Sequence, residues 1–309
     1  TSFIMNENGY VQVIHPGVDF KINYYDFSKY DKEEQKRKNR ELIGSHLAEP
    51  FNLQRPPLLK VSLVQLEEQR HLLILIMHHI ISDGWSLEIL KNELVNFYDS
   101  LVKGSEIESE QLAFQYDDFV NWQKDWLETK GCQLQREYWQ SQLEGVEPLD
   151  IPANTKREGI KSYKGKRKKI FIAGDLLQKV KEVTRQEKST LFISLLTVFY
   201  ILLHKYSDRD DIVITSPFAS RNQQKWERII GCFVNNIPLR VNVKGDYTLR
   251  QLLAEVKQTV FSAFKNQHYP YNLMIKDLGF FQGMSRFPIS DISFGFDVVT
   301  PDSISNISS

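Results

Sequence analysis

An uninterrupted apolar stretch that ends in a short polar motif is the feature that most limits how this chain can fold. Leu72 to Met77 show no alternation of apolar and polar side chains, which is typical of a strand buried on both faces. His78 and His79 follow directly, and Asp83 and Gly84 come shortly after them. Apolar residues then recur at helical spacing. We therefore predict a central strand, a tight turn and a helix, with Asp83 as the helix N-cap.

This order of strand, turn and helix makes one of the two histidines a candidate for acid-base chemistry. Successive side chains of a strand point to opposite faces, so His78 and His79 are expected to have different roles. One of them is expected to face an open site, where an imidazole at the strand end could act as a general base, and the other to face the packed interior. Amides at the helix N-terminus would offset negative charge on a reacting oxygen. The pattern indicates an acyl-transfer site, with Gly84 permitting the tight turn.

Acyl transfer competes with three simpler or different roles for the motif. A hydrogen-bonded core histidine is common after an apolar strand, and it is the preferred role for His78. A metal site on His79 and Asp83 would need a continuous helix, which Gly84 disfavours, and the remaining histidines of the chain add no ligand spacing, so no metal is expected. A Ser-His-Asp hydrolase is disfavoured because the chain has no Gly-x-Ser-x-Gly motif.

Composition narrows the class of protein. At 309 residues the chain has room for about two domains. Its 39 Lys and Arg balance 39 Asp and Glu, so charge favours neither nucleic acid nor an anionic membrane as a partner. Cys132 and Cys232 are too few for a disulfide framework and are predicted to be reduced. No signal peptide is evident, and the apolar helix over 191–203 is too short to span a bilayer, so we expect a cytoplasmic protein.

The predicted elements divide the chain into two mixed α/β halves. The first half is predicted to contain a hairpin around Asn8 and Gly9, a helix capped by Asp31, strands over 58–66 and 71–79, and helices within 115–143. The second is predicted to contain strands over 167–172, 211–216, 234–243 and 289–296, and helices over 175–186, 191–206 and 249–264. The Pro- and Gly-containing segment 145–165 separates the halves into lobes 1–150 and 151–309.

Several segments of the chain together resemble the motifs of one enzyme family. MHHIISDGWS at residues 77–86 resembles the core motif of the condensation domains of nonribosomal peptide synthetases. Further matches follow in family order: QYDDFVNW (115–122), IGCFVNN (230–236) with Arg240, NQHYPY (266–271) and SRFP (285–288). The chain departs from the family at His268, Asn272, Phe287 and Asn236, where Asp, Glu, Asn and Thr are usual. Five motifs in order are more specific than the histidine motif alone, and they span essentially the whole chain.

The resemblance implies a fold, a reaction and a set of partners. The fold would be two chloramphenicol-acetyltransferase-like lobes with mixed sheets, arranged as a V-shaped pseudo-dimer around a central tunnel. The chain would be a fragment that lacks the domain's first and last segments, so the second lobe would be incomplete at its C-terminus. The reaction would join a carrier-bound donor acyl or peptidyl thioester to the α-amine of a carrier-bound acceptor amino acid.

The partners implied are an upstream (donor) and a downstream (acceptor) peptidyl carrier protein and an adjoining adenylation domain. The substrates would travel on the phosphopantetheine of the carrier proteins, and no cofactor is expected on the domain itself.

The same resemblance implies roles for individual residues. His79 would be catalytic, either as the general base, as a group that positions the amine by hydrogen bonding, or as a group that stabilises the oxyanion. Four residues would support the active site: His78, Asp83, Gly84 and Arg286. Arg286 is a candidate ion-pair partner of Asp83. The substrate tunnel would be lined by three residues: Asn235, Ser293 and Trp122.

Different members of the superfamily remain as alternatives. An epimerization domain shares the histidine motif but should differ over 230–240. A free-standing acyl-CoA acyltransferase need not keep the later motifs. A noncatalytic docking or recruitment domain on the same fold should show degenerate motif residues, whereas the histidine motif is intact here.

Overall fold

The computed structural model describes residues 1–7, 9–106, 111–151, 165–279 and 287–297. They form two compact units: unit 1 comprises Thr1–Tyr116 and Gln223–Phe233, and unit 2 comprises Asp117–Asn222 and Val234–Ser309. This division differs from the predicted lobes, which were separated once, at residue 150. The predicted boundary followed composition, whereas the units follow packing, and Trp139 and Leu143 belong to the core of unit 2.

Unit 1 contains two small sheets and two long helices. Strands β1 (Ser2–Asn6) and β2 (Gly9–Val13) pair antiparallel, as the predicted hairpin requires. Strand β3 (Ile22–Asp26) pairs parallel with β4 (Leu59–Glu67), which pairs antiparallel with β5 (Arg70–Met77). The helices are α1 (Lys32–Ala48) and α2 (Gly84–Lys103). The predicted caps are confirmed: the Asp31 carboxylate accepts from two first-turn amides of α1, and Asp83 caps α2.

Strand β5 leads into the histidine motif, but it is not a central strand among the described residues. The sheet order is β3-β4-β5, so β4 is in the middle and β5 lies at the edge. On one face Ile74 packs with Val64 and Leu66 in a small core, whereas on the other face Leu73 is 44% exposed. The prediction of burial on both faces is therefore wrong for the described chain, because the second face is also apolar but is left partly exposed at Leu73.

Unit 2 is mainly helical around one hairpin-like pair of strands. Its helices are α3 (Tyr116–Leu127, whose first residue belongs to unit 1), α4 (Lys130–Leu143), α5 (Gly174–Gln186), α6 (Leu191–Ser207), α7 (Leu249–Lys265) and α8 (Tyr271–Asp277). Strands β6 (Asp211–Phe218) and β7 (Asn235–Asn242) pair antiparallel. Ile193, Leu196 and Tyr200 of α6 are fully or almost fully buried, so the prediction of a buried core helix is confirmed.

Two predicted strands do not form within the described residues. Residues 167–172 have no regular secondary structure, and Ile170 and Phe171 are 78% and 91% exposed. Near the C-terminus a single parallel bridge joins Thr215 to Ser293. Apolar content favours a strand, but a strand forms only where a neighbouring strand satisfies its amides and carbonyls.

The helices give no clear indication of a membrane span. Within the described parts of the chain, no single helix is long and apolar enough to cross a bilayer. Helices α5 and α6 meet the length and composition requirement only as a pair bent by 106°.

Candidate active site

The two histidines lie in a turn rather than within strand β5. The strand ends at Met77, His78 is extended, and residues His79–Ile81 form a 3₁₀ turn before α2 begins. His78 Nδ1 accepts a hydrogen bond from the Ile80 amide at 3.1 Å, and the His78 ring packs edge-on against Phe51. His78 therefore contacts the backbone of its own turn and the ring of Phe51, and its structural role stays a prediction. The two histidines differ because one caps the turn and the other begins it.

The two ring nitrogens of His79 have different environments. The side chain is exposed, and Nδ1 lies 3.7 Å from Sγ of Cys232. Across the described residues, no hydrogen-bond partner is found for Nε2. An imidazole held at one nitrogen and open at the other can exchange a proton with a bound substrate.

Asp83 ties the start of α2 to the segment that contains Cys232. The side chain is only 3% exposed, and its Oδ1 accepts from the Ser86 amide at 2.8 Å while Oδ2 accepts from the Phe233 amide at 3.0 Å. The Ser86 hydroxyl lies 2.8 Å from both Asp83 Oδ1 and the Gly231 carbonyl, and it accepts from the Gly231 amide at 3.0 Å. Because the Ser86 amide is bound by the cap, it is not available to a reacting oxygen.

The site has no room for a side chain at Gly231. A Cβ there would lie 2.1 Å from Cδ2 of Tyr116, far inside van der Waals contact. The Tyr116 hydroxyl donates to the Cys232 carbonyl at 2.7 Å, and its ring packs edge-on against Phe233. At Gly84, by contrast, a Cβ would meet no described atom within 4 Å. The tight approach expected at Gly84 is therefore found at Gly231, where only the matched motif could have indicated it.

The remaining predicted site residues lie in unit 2 or outside the described chain. The Asn235 amide donates to the carbonyls of Gln267 and Tyr269, each at 2.9 Å, so it braces the backbone of that segment. Ser293 is exposed, and Trp122 stacks between Phe119 and Trp126. Arg286 lies outside the described residues. Tunnel lining by Asn235, Ser293 and Trp122 stays a prediction.

No metal centre is found in the part of the chain that the structure describes. Groups of three or more His, Cys, Asp or Glu side chains with metal-binding geometry are absent from it. Cys132 and Cys232 form no disulfide with each other.

We expect Asp83→Ala to lower the free energy of unfolding by about 2–5 kcal/mol, since it removes a helix cap and leaves the buried Phe233 amide without its acceptor. Urea unfolding followed by circular dichroism measures the change. Asp31→Ala is the matched control: it removes an exposed cap from α1 and should cost only about 1 kcal/mol. Equal losses in the two variants would contradict the anchoring role of Asp83.

His268 is held among aromatic side chains in unit 2. Its ring lies 5.6 Å from the ring centres of both Trp122 and Trp126, and Asn222 Nδ2 donates to Nε2 at 2.9 Å. Burial lowers the pKa of His268 below its usual value of 6.5. The folded state therefore prefers the neutral ring more strongly than the unfolded state does.

This preference predicts a pH dependence of stability. As the pH falls below about 6.5, the unfolded chain binds a proton at His268 before the folded chain does, so stability should decrease down to the folded-state pKa. Urea midpoints at pH 7.5 and 5.0 should differ more for the unsubstituted protein than for His268→Gln, which cannot be protonated. An equal difference in both proteins would show that the folded state accommodates the protonated ring.

Solved structures share this fold at low sequence identity. The chain matches the X-domain from teicoplanin biosynthesis with a TM-score of 0.84 and 19% identity, covering 94% of this chain and 65% of that one. It matches a four-domain nonribosomal peptide synthetase bound to AMP and glycine with a TM-score of 0.82 and 22% identity, covering 97% of this chain and 22% of that one. The fold is therefore the predicted α/β class with mixed sheets, of the kind found in condensation domains.

Sequence comparison then gives the family. The model of the condensation domain family matches residues 1–308, so the chain belongs to that family. Gramicidin S synthase 2 of Aneurinibacillus migulanus is 35% identical over 304 residues, covering 98% of this chain and 6% of that protein. Bacitracin synthase 3 of Bacillus licheniformis is 32% identical over 295 residues, covering 95% of this chain and 4% of that protein. The chain thus spans only a small part of these relatives.

Proposed function

We propose that this chain forms a peptide bond between two carrier-bound substrates in nonribosomal peptide synthesis. One observation carries the proposal: the exposed imidazole of His79 stands at the start of the turn before α2, with Nδ1 beside Cys232 and Nε2 directed to no described partner. Family membership supports this reaction class. The segment around Cys232 supports it further, because residues 230–240 resemble the motif in which an epimerization domain should differ.

His79 has a defined task in this reaction. A free α-ammonium group has a pKa of ~8, so near neutral pH most acceptor amines must lose a proton before they attack. We assign that proton to Nε2 of His79. The amine then forms a bond to the thioester carbonyl, the tetrahedral intermediate collapses, and the carbon–sulfur bond breaks. The nitrogen then loses its second proton, and the leaving sulfur takes up one proton, so the products are an amide and the phosphopantetheine thiol, with the first proton left on His79.

In the tetrahedral intermediate, the negatively charged carbonyl oxygen needs a hydrogen-bond donor. Gly84 is the first residue of α2, and first-turn amides have no acceptor within their own helix. We assign the Gly84 amide to this oxygen, in preference to the Ser86 amide that Asp83 already occupies. His78 and Asp83 shape the turn and do not contact the substrates in this scheme.

The proposed partners follow from the substrates. A donor and an acceptor peptidyl carrier protein would deliver the two thioesters, and an adenylation domain of the same synthetase would load the acceptor. We assign Asn235, Ser293 and Trp122 to the path of the substrates. We also propose a cytoplasmic location, which suits two cysteines that form no disulfide.

The test combines the natural polypeptide that contains this chain with one carrier protein loaded with a donor acyl group and one loaded with an aminoacyl acceptor. Intact-protein mass spectrometry follows the mass of each carrier protein. The donor mass should move onto the acceptor carrier, leaving free phosphopantetheine thiol on the donor carrier. Binding of both carriers without any transfer would overturn the proposal and favour a docking domain.

The epimerization alternative is tested in the same experiment. An epimerization domain would invert the α-carbon of a single carrier-bound substrate and would need no second carrier protein. Hydrolysis of the thioester, followed by chiral chromatography of the released amino acid, distinguishes the two reactions. We expect amide formation with unchanged configuration at the acceptor.

A further inference from the structure

The thiol of Cys232 lies beside the candidate catalytic histidine, although cysteine spacing alone predicted no function for it. Sγ is 3.7 Å from Nδ1 of His79, which is within hydrogen-bonding reach for sulfur. Cys232 is half-buried, whereas His79 is exposed. The thiol therefore contacts Nδ1 of the ring and leaves Nε2 accessible.

The position of this thiol is set by the backbone on both sides of it. The Gly231 amide donates to the Ser86 hydroxyl at 3.0 Å, and the Phe233 amide donates to the Asp83 carboxylate at 3.0 Å. Between them, the carbonyl of Cys232 itself accepts from the Tyr116 hydroxyl. Three consecutive residues are thus fixed by three separate hydrogen bonds.

The same framework also carries His79. Asp83 and Ser86 belong to the cap and first turn of α2, which follow directly on the 3₁₀ turn that begins at His79. The thiol and the imidazole are therefore mounted on neighbouring turns joined by buried hydrogen bonds. The fold fixes the two backbones, so the distance between Sγ and Nδ1 depends only on one side-chain torsion of Cys232 and two of His79.

We propose that Cys232 is a positioning residue for His79 and that its sulfur accepts a hydrogen bond from Nδ1–H. A neutral imidazole carries one proton, so a proton held on Nδ1 leaves the lone pair of Nε2 free to take up a proton from the acceptor amine. If the thiol donated to Nδ1 instead, Nε2 would carry the proton and His79 would act only as a donor. This inference rests on the proposed function, because it specifies which tautomer the general base needs.

The test measures the tautomer of His79 and, in a separate assay, the rate of acyl transfer. Two-bond ¹H–¹⁵N correlation spectra of the full chain identify which nitrogen of His79 carries the proton, with the His79→Ala spectrum assigning the signal. Cys232→Ser and Cys232→Ala are compared with Cys132→Ala, which removes the other thiol from the core of unit 2. Transfer between loaded carrier proteins is measured for the unsubstituted protein and these three variants over a range of pH.

We expect the Nδ1–H tautomer in the unsubstituted protein, in Cys232→Ser and in Cys132→Ala, and its loss in Cys232→Ala. The transfer rate should fall on the order of 10-fold in Cys232→Ala, with a changed pH profile, and should be largely restored in Cys232→Ser.

Three results would overturn the positioning role. One is an Nε2–H tautomer in the unsubstituted protein, and another is an unchanged tautomer and rate in Cys232→Ala. The third is a lower rate with an unchanged tautomer, which would assign Cys232 to packing alone. If the unsubstituted protein transfers nothing, the proposed function fails, while the tautomer measurement still decides the contact between Cys232 and His79.

Discussion

His79→Ala is expected to lower the transfer rate by about 10²- to 10⁴-fold, the usual contribution of a positioned general base. Stability should change by less than about 0.5 kcal/mol, because His79 is exposed and its side chain contacts, among the described residues, only the Cys232 sulfur by a weak hydrogen bond. The turn itself is held by the His78 ring and by Asp83, which the substitution leaves in place. Rate and stability should therefore separate clearly in this variant.

Single-turnover transfer between loaded carrier proteins gives the rate, and urea unfolding gives the stability. His71→Ala is the matched control, since it removes the same side chain from an exposed position on β5, away from the turn. A His79→Ala protein that transfers at the unsubstituted rate would show that the imidazole is not the base. Loss of transfer in His71→Ala as well would mean that the assay reports damage to β5.

Gly231→Ala is expected to cost about 2–4 kcal/mol of stability and to reduce transfer together with it. The added methyl group would lie 2.1 Å from the Tyr116 ring, so either the ring or the backbone must move. Movement of the ring breaks its hydrogen bond to the Cys232 carbonyl. Movement of the backbone instead disturbs the amides that Ser86 and Asp83 hold.

Urea unfolding of two further variants tests whether the clash with Tyr116 causes the loss of stability in Gly231→Ala. Gly84→Ala is the matched control within the same site: its methyl group meets no described atom within 4 Å, so stability should change by less than about 1 kcal/mol. Combining Gly231→Ala with Tyr116→Ala removes the ring that clashes. The two substitutions should then be less than additive, by at least about 1 kcal/mol. Strict additivity would show that Gly231 is required for another reason.

Local patterns predicted much of what the structure shows. The spacing of apolar residues placed α2 and α6, and Asp31 and Asp83 were recognised as caps because their side chains act on amides only a few residues away. The predicted order of strand, turn and helix around the histidine motif is also found, since these elements are consecutive in the chain. Where the prediction depended on pairing partners, it was less successful: β3 was not predicted, and the strand over 167–172 did not form.

The sequence by itself determined the family, all helices but α8 and the identity of His79 as the candidate base, because motifs and helical spacing are local properties of the chain. Only the tertiary structure decided that β5 lies at the edge of its sheet among the described residues and that Gly231, not Gly84, is the glycine required by close packing. It also decided that a thiol more than a hundred residues away lies beside His79. The physical reason is that such contacts are made by distant segments, which are brought together where the Gly231 and Phe233 amides donate buried hydrogen bonds to Ser86 and Asp83.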